Sequence, residues 1–339
     1  MRQLALISFF LVVSFAYGQD DYEGFIIKGK IAEEKGDYDA AAAAYSEAIR
    51  LEPKNPDAYV MRAEPYRKME NYAAAISDYD KAEKLHFPEP FLYNFRGLCK
   101  SNKGDYADAL KDFDKGVKLS PDDYTCLTNR GATKILVGDR SGATKDFDAA
   151  LKINPNYEIA IFNRGMIEYD AGKHAESRPY FLKLVALNPI HVDANYCLGM
   201  IAAAEQDFEP AISYLSTAIT CDPLKTQAWG GRAFCKAHSG DPSGAIEDLG
   251  KAIALDPARA GFYSDRALLL AKNGDFNRAL TDIEQSIQLD PGNGKDWYIR
   301  GMIKVELNMN QDANACNDFE KAKALGFSKA EEALRNNCK

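Results

Sequence analysis

The sequence predicts an all-α chain of stacked helix hairpins. Three observations predict it: a repeat of 34 residues, small side chains at fixed places within the repeat, and turn signals about one helix apart. The landmarks are Ala48 and Pro53, Gly116 and Pro121, Ala150 and Pro155, Leu184 and Pro189, Ala218 and Pro223, Ala252 and Pro257, and Ser286 and Pro291. Members of a pair lie 5 apart and successive pairs 34 apart, with one doubled interval where Ala82 is followed by Phe87 and Pro88. The frame gives nine units, 22–55, 56–89, 90–123, 124–157, 158–191, 192–225, 226–259, 260–293 and 294–327, and leaves a cap helix at 328–339.

Within each unit the first helix carries Gly or Ala at its eighth place: Gly29, Ala63, Gly97, Gly131, Gly165, Gly199, Ala233, Ala267 and Gly301. A side chain no larger than methyl there, 12 residues before Ala41, Ala75, Ala109, Ala143, Ala211, Ala245 and Ala279, lets two helices cross with their backbones close. Next comes a turn, as in Lys35-Gly36-Asp37-Tyr38, Lys103-Gly104-Asp105-Tyr106 and Asn273-Gly274-Asp275-Phe276. Gly ends one helix there and Asp caps the next. Pro53, Pro121 and Pro155 then close the second helix, while Pro65 inside a first helix predicts a kink. In the last unit Asn308 stands in place of the turn Gly, and Ala315, Phe319 and Ala322 fall two places late, which reads as a lengthened turn.

These features together resemble the tetratricopeptide repeat, over residues 22–327. The resemblance implies a right-handed α-solenoid, a superhelix of helix-turn-helix repeats whose first helices line a concave groove, closed by a C-terminal capping helix. A lone hairpin cannot bury its apolar face, so stacking is obligatory. The family also includes clamps that hold a C-terminal carboxylate with Lys, Asn and Arg from three units. Here Asn129 would be the middle Asn, but Asn94, Leu98, Ile159 and Asn163 flank it and supply no cation. A carboxylate clamp is not expected.

Composition narrows the function. With 42 Lys+Arg against 50 Asp+Glu, a net charge of -8 and a pI near 5.2, the chain lacks the basic excess of a nucleic-acid binder. Its 46% hydrophobic content excludes a mostly disordered chain. Arg2, the apolar run Leu4 to Ala16, and Ala16-Tyr17-Gly18 read as a signal peptide over 1–18, cleaved before Gln19. The apolar run falls short of the ~20 residues that span a bilayer, so no membrane span is expected after cleavage. The mature chain is expected in an exported compartment: periplasm, envelope or outside.

The seven cysteines, Cys99, Cys126, Cys197, Cys221, Cys235, Cys316 and Cys338, follow no zinc spacing, and no metal is expected. Cys316 and Cys338 are the candidate disulfide, where a final helix folds back on the one before it; two buried thiols are the alternative. Four histidines occur without an H-E-x-x-H motif, and no nucleophile elbow, phosphate loop or dinucleotide fingerprint is present. His174 and His238 lie near turns, where solvated side chains are the ordinary outcome. No catalysis and no cofactor are expected.

Two patterns stand above the repeat. Arg occupies the seventh place in seven units, and six of these carry Asp 16 residues on, or 18 in the last: Arg62 with Asp78, Arg96 with Asp112, Arg130 with Asp146, Arg232 with Asp248, Arg266 with Asp282, and Arg300 with Asp318. The two units without Arg carry Lys28 with Ala44 and Leu198 with Tyr214, and Arg164 faces Tyr180. This co-occurrence predicts a structural ladder across the hairpins. A basic stripe for an anionic ligand is the alternative, less suited because each Arg arrives with its own acid.

Secondly, the inward places of the first helices carry Ile159, Phe162, Met166 and Tyr169, followed by Tyr196, Met200 and Phe234. In the first two units the same places hold Glu23, Lys30, Glu33, Asp57, Glu64 and Arg67. The apolar stretch coincides with the lapse of the ladder, and it predicts a groove for a protein or peptide segment, although these residues also suit ordinary packing between first helices. The expected function is a non-catalytic adaptor. The alternatives are a structural subunit of an envelope complex, using its convex face and edges, and a binder of glycan or another small ligand.

Overall fold

The computed structural model describes residues 21–307 and 314–338. The expected leader at 1–18 and the expected lengthened turn around Asn308 lie outside the described residues. Among the described residues every regular element is an α-helix, and the helices pair into hairpins as the repeat predicts. The chain divides into two compact units, residues 1–170 and 171–339.

The first unit holds α1 (Tyr22–Glu34), α2 (Tyr38–Leu51), α3 (Pro56–Lys68), α4 (Tyr72–Lys84), α5 (Phe91–Lys103), α6 (Tyr106–Leu119), α7 (Tyr124–Leu136), α8 (Arg140–Ile153) and α9 (Glu158–Asp170). The second holds α10 (His174–Leu187), α11 (Val192–Ala204), α12 (Phe208–Cys221), α13 (Thr226–His238), α14 (Pro242–Leu255), α15 (Ala260–Lys272), α16 (Phe276–Leu289), α17 (Gly294–Glu306), α18 (Asn314–Ala324) and α19 (Ala330–Asn337). Within each unit every helix packs on the next in sequence. The division falls inside segment 158–191, between α9 and α10.

Local chemistry sets the helix ends. Gly36, Gly104, Gly138, Gly240 and Gly274 all adopt the left-handed backbone that reverses the chain between paired helices, and Gly172 adopts it as well. Glu70 and Gln206, at φ 59° and 63°, hold the same conformation at the same place of their repeats without glycine's freedom. Asp37, Asp139, Asp241 and Asp275 then accept the first free amides, those of Ala40, Gly142, Gly244 and Arg278. Asp105 departs from the expected cap: its carboxylate takes the Lys103 ammonium at 2.7 Å and no helix amide. The second helices α2, α6 and α8 stop at Leu51, Leu119 and Ile153, just before Pro53, Pro121 and Pro155. Buried Pro65 does not end α3, which runs on to Lys68.

The small residue at the eighth place makes room for a ring more than for the Ala 12 residues on. A Cβ added to Gly97 would lie 2.8 Å from the Phe113 ring, and one on Gly131 the same distance from Phe147. On Gly199 it would meet Leu215 at 2.6 Å, and on Gly301 the Phe319 ring at 2.5 Å. Phe113, Phe147, Leu215 and Phe319 are fully buried, so their interiors have no slack for a methyl group. At the C-terminal end Ala315, Phe319 and Ala322 are buried as well, and a disulfide joins Cys316 to Cys338 across a Cα separation of 5.8 Å. It ties α19 to α18 by closing a loop of 22 residues, a cross-link of about 3 kcal/mol on loop-entropy grounds.

The ring contact gives a direct test. Gly131→Ala pushes a methyl group into Phe147 and is expected to lower stability by about 1–3 kcal/mol in urea unfolding; an unchanged midpoint would show that the ring has room to move.

Candidate functional site

Six Arg–Asp pairs meet across their hairpins, each as a two-point fork with N–O distances from 2.6 to 3.0 Å. Arg62, Arg96 and Arg130 face Asp78, Asp112 and Asp146 in the first unit. Arg232, Arg266 and Arg300 face Asp248, Asp282 and Asp318 in the second. The six aspartates are buried, and the fork spends both carboxylate oxygens on one guanidinium.

Two further contacts went unread in the sequence. Lys100, Lys134, Lys236 and Lys304, one turn after their arginines, also reach the same aspartates, at 2.7 to 3.0 Å. The remaining arm of several arginines extends back to the preceding hairpin: Arg62 to Ser46, Arg96 to Asp80 and Glu83, Arg130 to Asp114, and Arg232 to Ser216. Each acceptor hydrogen-bonded across 16 residues was visible as a Ser or Asp at that fixed offset before the Arg. Burial disfavours the charged form of Glu83, but hydrogen bonds from Lys115 and Arg96 outweigh it and hold its carboxyl at about 2. Arg164, with no Asp ahead of it, turns to Asp148 and Glu168 instead.

The remaining polar candidates are committed internally. Asn129 donates to Asn94 at 2.9 Å and Asn94 to Thr125 at 3.1 Å, so both amides are engaged within the repeat. Burial pushes the thiols of Cys99 and Cys126 up to about 12 and that of Cys235 to about 11, leaving little thiolate for chemistry. Among the described residues no group of three or more His, Cys, Asp or Glu is placed to hold a metal ion. No helix among them is long and apolar enough to cross a membrane.

The apolar candidates fall into the two units. On α9, in the first, Ile159 is exposed and Phe162, Met166 and Tyr169 are half-buried. In the second, Tyr196 and Met200 lie half-buried on α11 and Phe234 is 51% exposed on α13. Met200 and Phe234 line one open cavity of about 580 Å³ with Ala203, Ala204, Gln206, Phe208 and His238. Tyr196 does not line it, and packs beneath the Lys225 ammonium, 5.1 Å from its ring.

Phe234 and His238 also border an adjoining cavity of about 220 Å³, walled by Gly230, Ala233, Ala237, Leu249, Leu268 and Leu269 and flanked by Asp265 and Lys272. The glycines nearby are tightly packed: a Cβ on Gly230 would meet the Phe262 ring at 2.6 Å and one on Gly231 the Met200 sulfur at 2.9 Å. Between the cavities three rings cluster. His238 lies 4.2 Å from Phe234 and 5.5 Å from Phe208, and Phe208 meets Phe234 edge-on at 6.4 Å. Nδ1 of His238 sits 2.8 Å from the Phe234 carbonyl oxygen, which sets the imidazole against its neighbour. His238 is exposed, as expected beside a turn, and its ring lies against Phe234 and Phe208. Phe208 opens a second helix, outside the first-helix places from which the sequence predicts the groove. The arrangement offers apolar and aromatic contact area without a nucleophile and base in register.

The comparisons with known proteins agree with this architecture. The family described as Tetratricopeptide repeat matches residues 60–124, 137–189, 162–225 and 237–294, and that described as TPR repeat matches 29–69. The chain belongs to the tetratricopeptide repeat family, a scaffold that is typically non-catalytic and generally binds proteins or peptides. No curated protein sequence matches it. Among solved structures it is similar to the APC/C hetero-tetramer Cut9-Hcn1, with a TM-score of 0.55 and 14% identity over 83% of this chain; the match spans 55% of that chain. It is similar to PilW, a type IV pilus biogenesis factor, with a TM-score of 0.53 and 22% identity over 59% of this chain and 94% of that one. Pseudomonas aeruginosa PilF gives a TM-score of 0.53 and 17% identity over 60% and 92%. These likenesses show the fold.

A double-mutant cycle tests the forks. Arg130→Ala leaves buried Asp146, and Asp146→Ala leaves half-buried Arg130, without its fork partner, so their combined loss of stability is expected to fall short of the sum by about 0.5–3 kcal/mol; additive losses would mean that the pair does not act as a unit.

Proposed function

We propose that the protein is a non-catalytic adaptor, exported by its leader, that holds an apolar or amphipathic polypeptide segment against α11 and α13. The observation that carries this reading is the cluster of Phe208, Phe234 and His238 with Met200, where large apolar side chains border open space. A soluble fold covers such a surface unless something else is to cover it. Met200 adds an unbranched, polarizable contact that adapts to different apolar shapes. Tetratricopeptide repeat proteins generally mediate protein–protein interaction or complex assembly, which supports an adaptor role in general terms.

A scaffold that worked through the loop edges instead would depend on residues such as Leu224, which is 74% exposed in the loop before α13. The two readings separate in one experiment. Tagged full-length protein is recovered from its native cells with its partner, and Met200→Glu and Phe234→Glu are each expected to lower recovery at least tenfold while Leu224→Glu leaves it unchanged. The reverse pattern would refute the groove. Mass spectrometry of the mature N-terminus checks export in the same preparation, the expected first residue being Gln19.

A further inference from the structure

The first unit contains a separate cavity of about 260 Å³, bordered by α1, α3, α4 and α5. Its walls are apolar. Val60 and Met61 come from α3; Phe91 and Phe95 come from α5, their rings edge to face at 5.7 Å, with Phe91 37% exposed. Two carboxylates complete the lining, Glu33 of α1 and Glu64 of α3, and their situations differ.

Glu64 already has its cation. Arg67 donates to both of its oxygens, at 2.7 and 2.5 Å, and the guanidinium lies 5.8 Å from the Phe95 ring. Glu33 has a single hydrogen bond among the described residues, from the neutral Tyr45 hydroxyl at 2.9 Å. Burial and the neighbouring Glu64 charge raise the pKa of Glu33, against the pull of the Tyr45 bond and of Lys30. A half-buried carboxylate without a fixed cation, beside aromatic faces, favours a cation that brings its own apolar stem. The net charge of -8 works in the same direction at longer range.

The free acceptor capacity selects among cations. Tyr45 already holds one oxygen of Glu33, and an ammonium, which needs only one acceptor and tolerates many approach angles, suits the oxygen left open. We propose that this cavity receives the side chain of a lysine presented by a partner polypeptide, its ammonium on Glu33 and its methylene stem against Met61, Phe91 and Phe95. The site lies in the other compact unit from the apolar surface of α11 and α13 and stands independently of it.

The test is an NMR titration of the full chain at 150 mM salt with the peptide acetyl-Ala-Ala-Lys-Ala-Ala-amide. Its Nε-acetyl-lysine and arginine analogues run alongside. The lysine peptide is expected to bind at least tenfold more tightly than the acetylated one and more tightly than the arginine one. Glu33→Gln, which keeps an acceptor for Tyr45, and Phe91→Ala, at an exposed ring, are each expected to weaken it at least tenfold, with Glu176→Gln on α10 as an unchanged acidic control. Equal binding of the acetylated peptide, tighter binding of the arginine peptide, or indifference to both Glu33→Gln and Phe91→Ala would overturn the proposal. So would a dimer that Glu33→Gln disperses, since the occupant would then be a second copy.

Discussion

Within each compact unit the hairpins rest on a ring or branched side chain of the second helix seated against a glycine or alanine of the first. Where that seat is Gly97, Gly131, Gly199 or Gly301, the partner lies so close that even a methyl group would collide. The close approach brings the neighbouring Arg and Asp within fork distance, because the Asp immediately precedes the seated residue and the Arg immediately precedes the small one. Packing and charge pairing are thus consequences of one register. The third arm of the guanidinium carries that register on to the preceding hairpin where Ser46, Asp80, Asp114 and Ser216 receive it.

Most of this was legible in the chain because the repeat presents the same physical problem many times. Gly at the turn, Asp at the cap and Pro after the second helix each solve a local problem, and their spacing fixes the helix bounds. The pairing of Arg with Asp was legible through their shared presence and shared absence. The contact made by the eighth place was not: periodicity marks which residues are small but not which neighbour needs the room, and Ala143 and Phe147 both lie on the facing helix one turn apart. Likewise Asp105 fills a capping place by pattern, yet the ammonium of Lys103 competes successfully for it.

The site was legible in part. Met200 and Phe234 announced themselves as apolar residues on a polar-expected face, and they border one cavity. Phe208 and His238 did not, since each belongs to a class of position usually explained without function: the opening of a second helix and the end of a first. Their ring contacts arise from the tertiary crossing of α11, α12 and α13, which no single-helix pattern contains. The acidic lining of the other cavity was visible only as Glu33 and Glu64 among the polar inward places of the first two units, because the cavity is completed by Phe91 and Phe95 from a later hairpin.

The central functional claim is that a polypeptide covers the surface formed by Met200, Phe208, Phe234 and His238. Photo-crosslinking from p-benzoylphenylalanine at position 234, in intact cells, interrogates that surface without removing its ring. The account predicts a covalent adduct with one defined polypeptide segment, abolished by Met200→Glu. Adducts formed from position 224 and none from 234, or a 234 adduct indifferent to Met200→Glu, would contradict it.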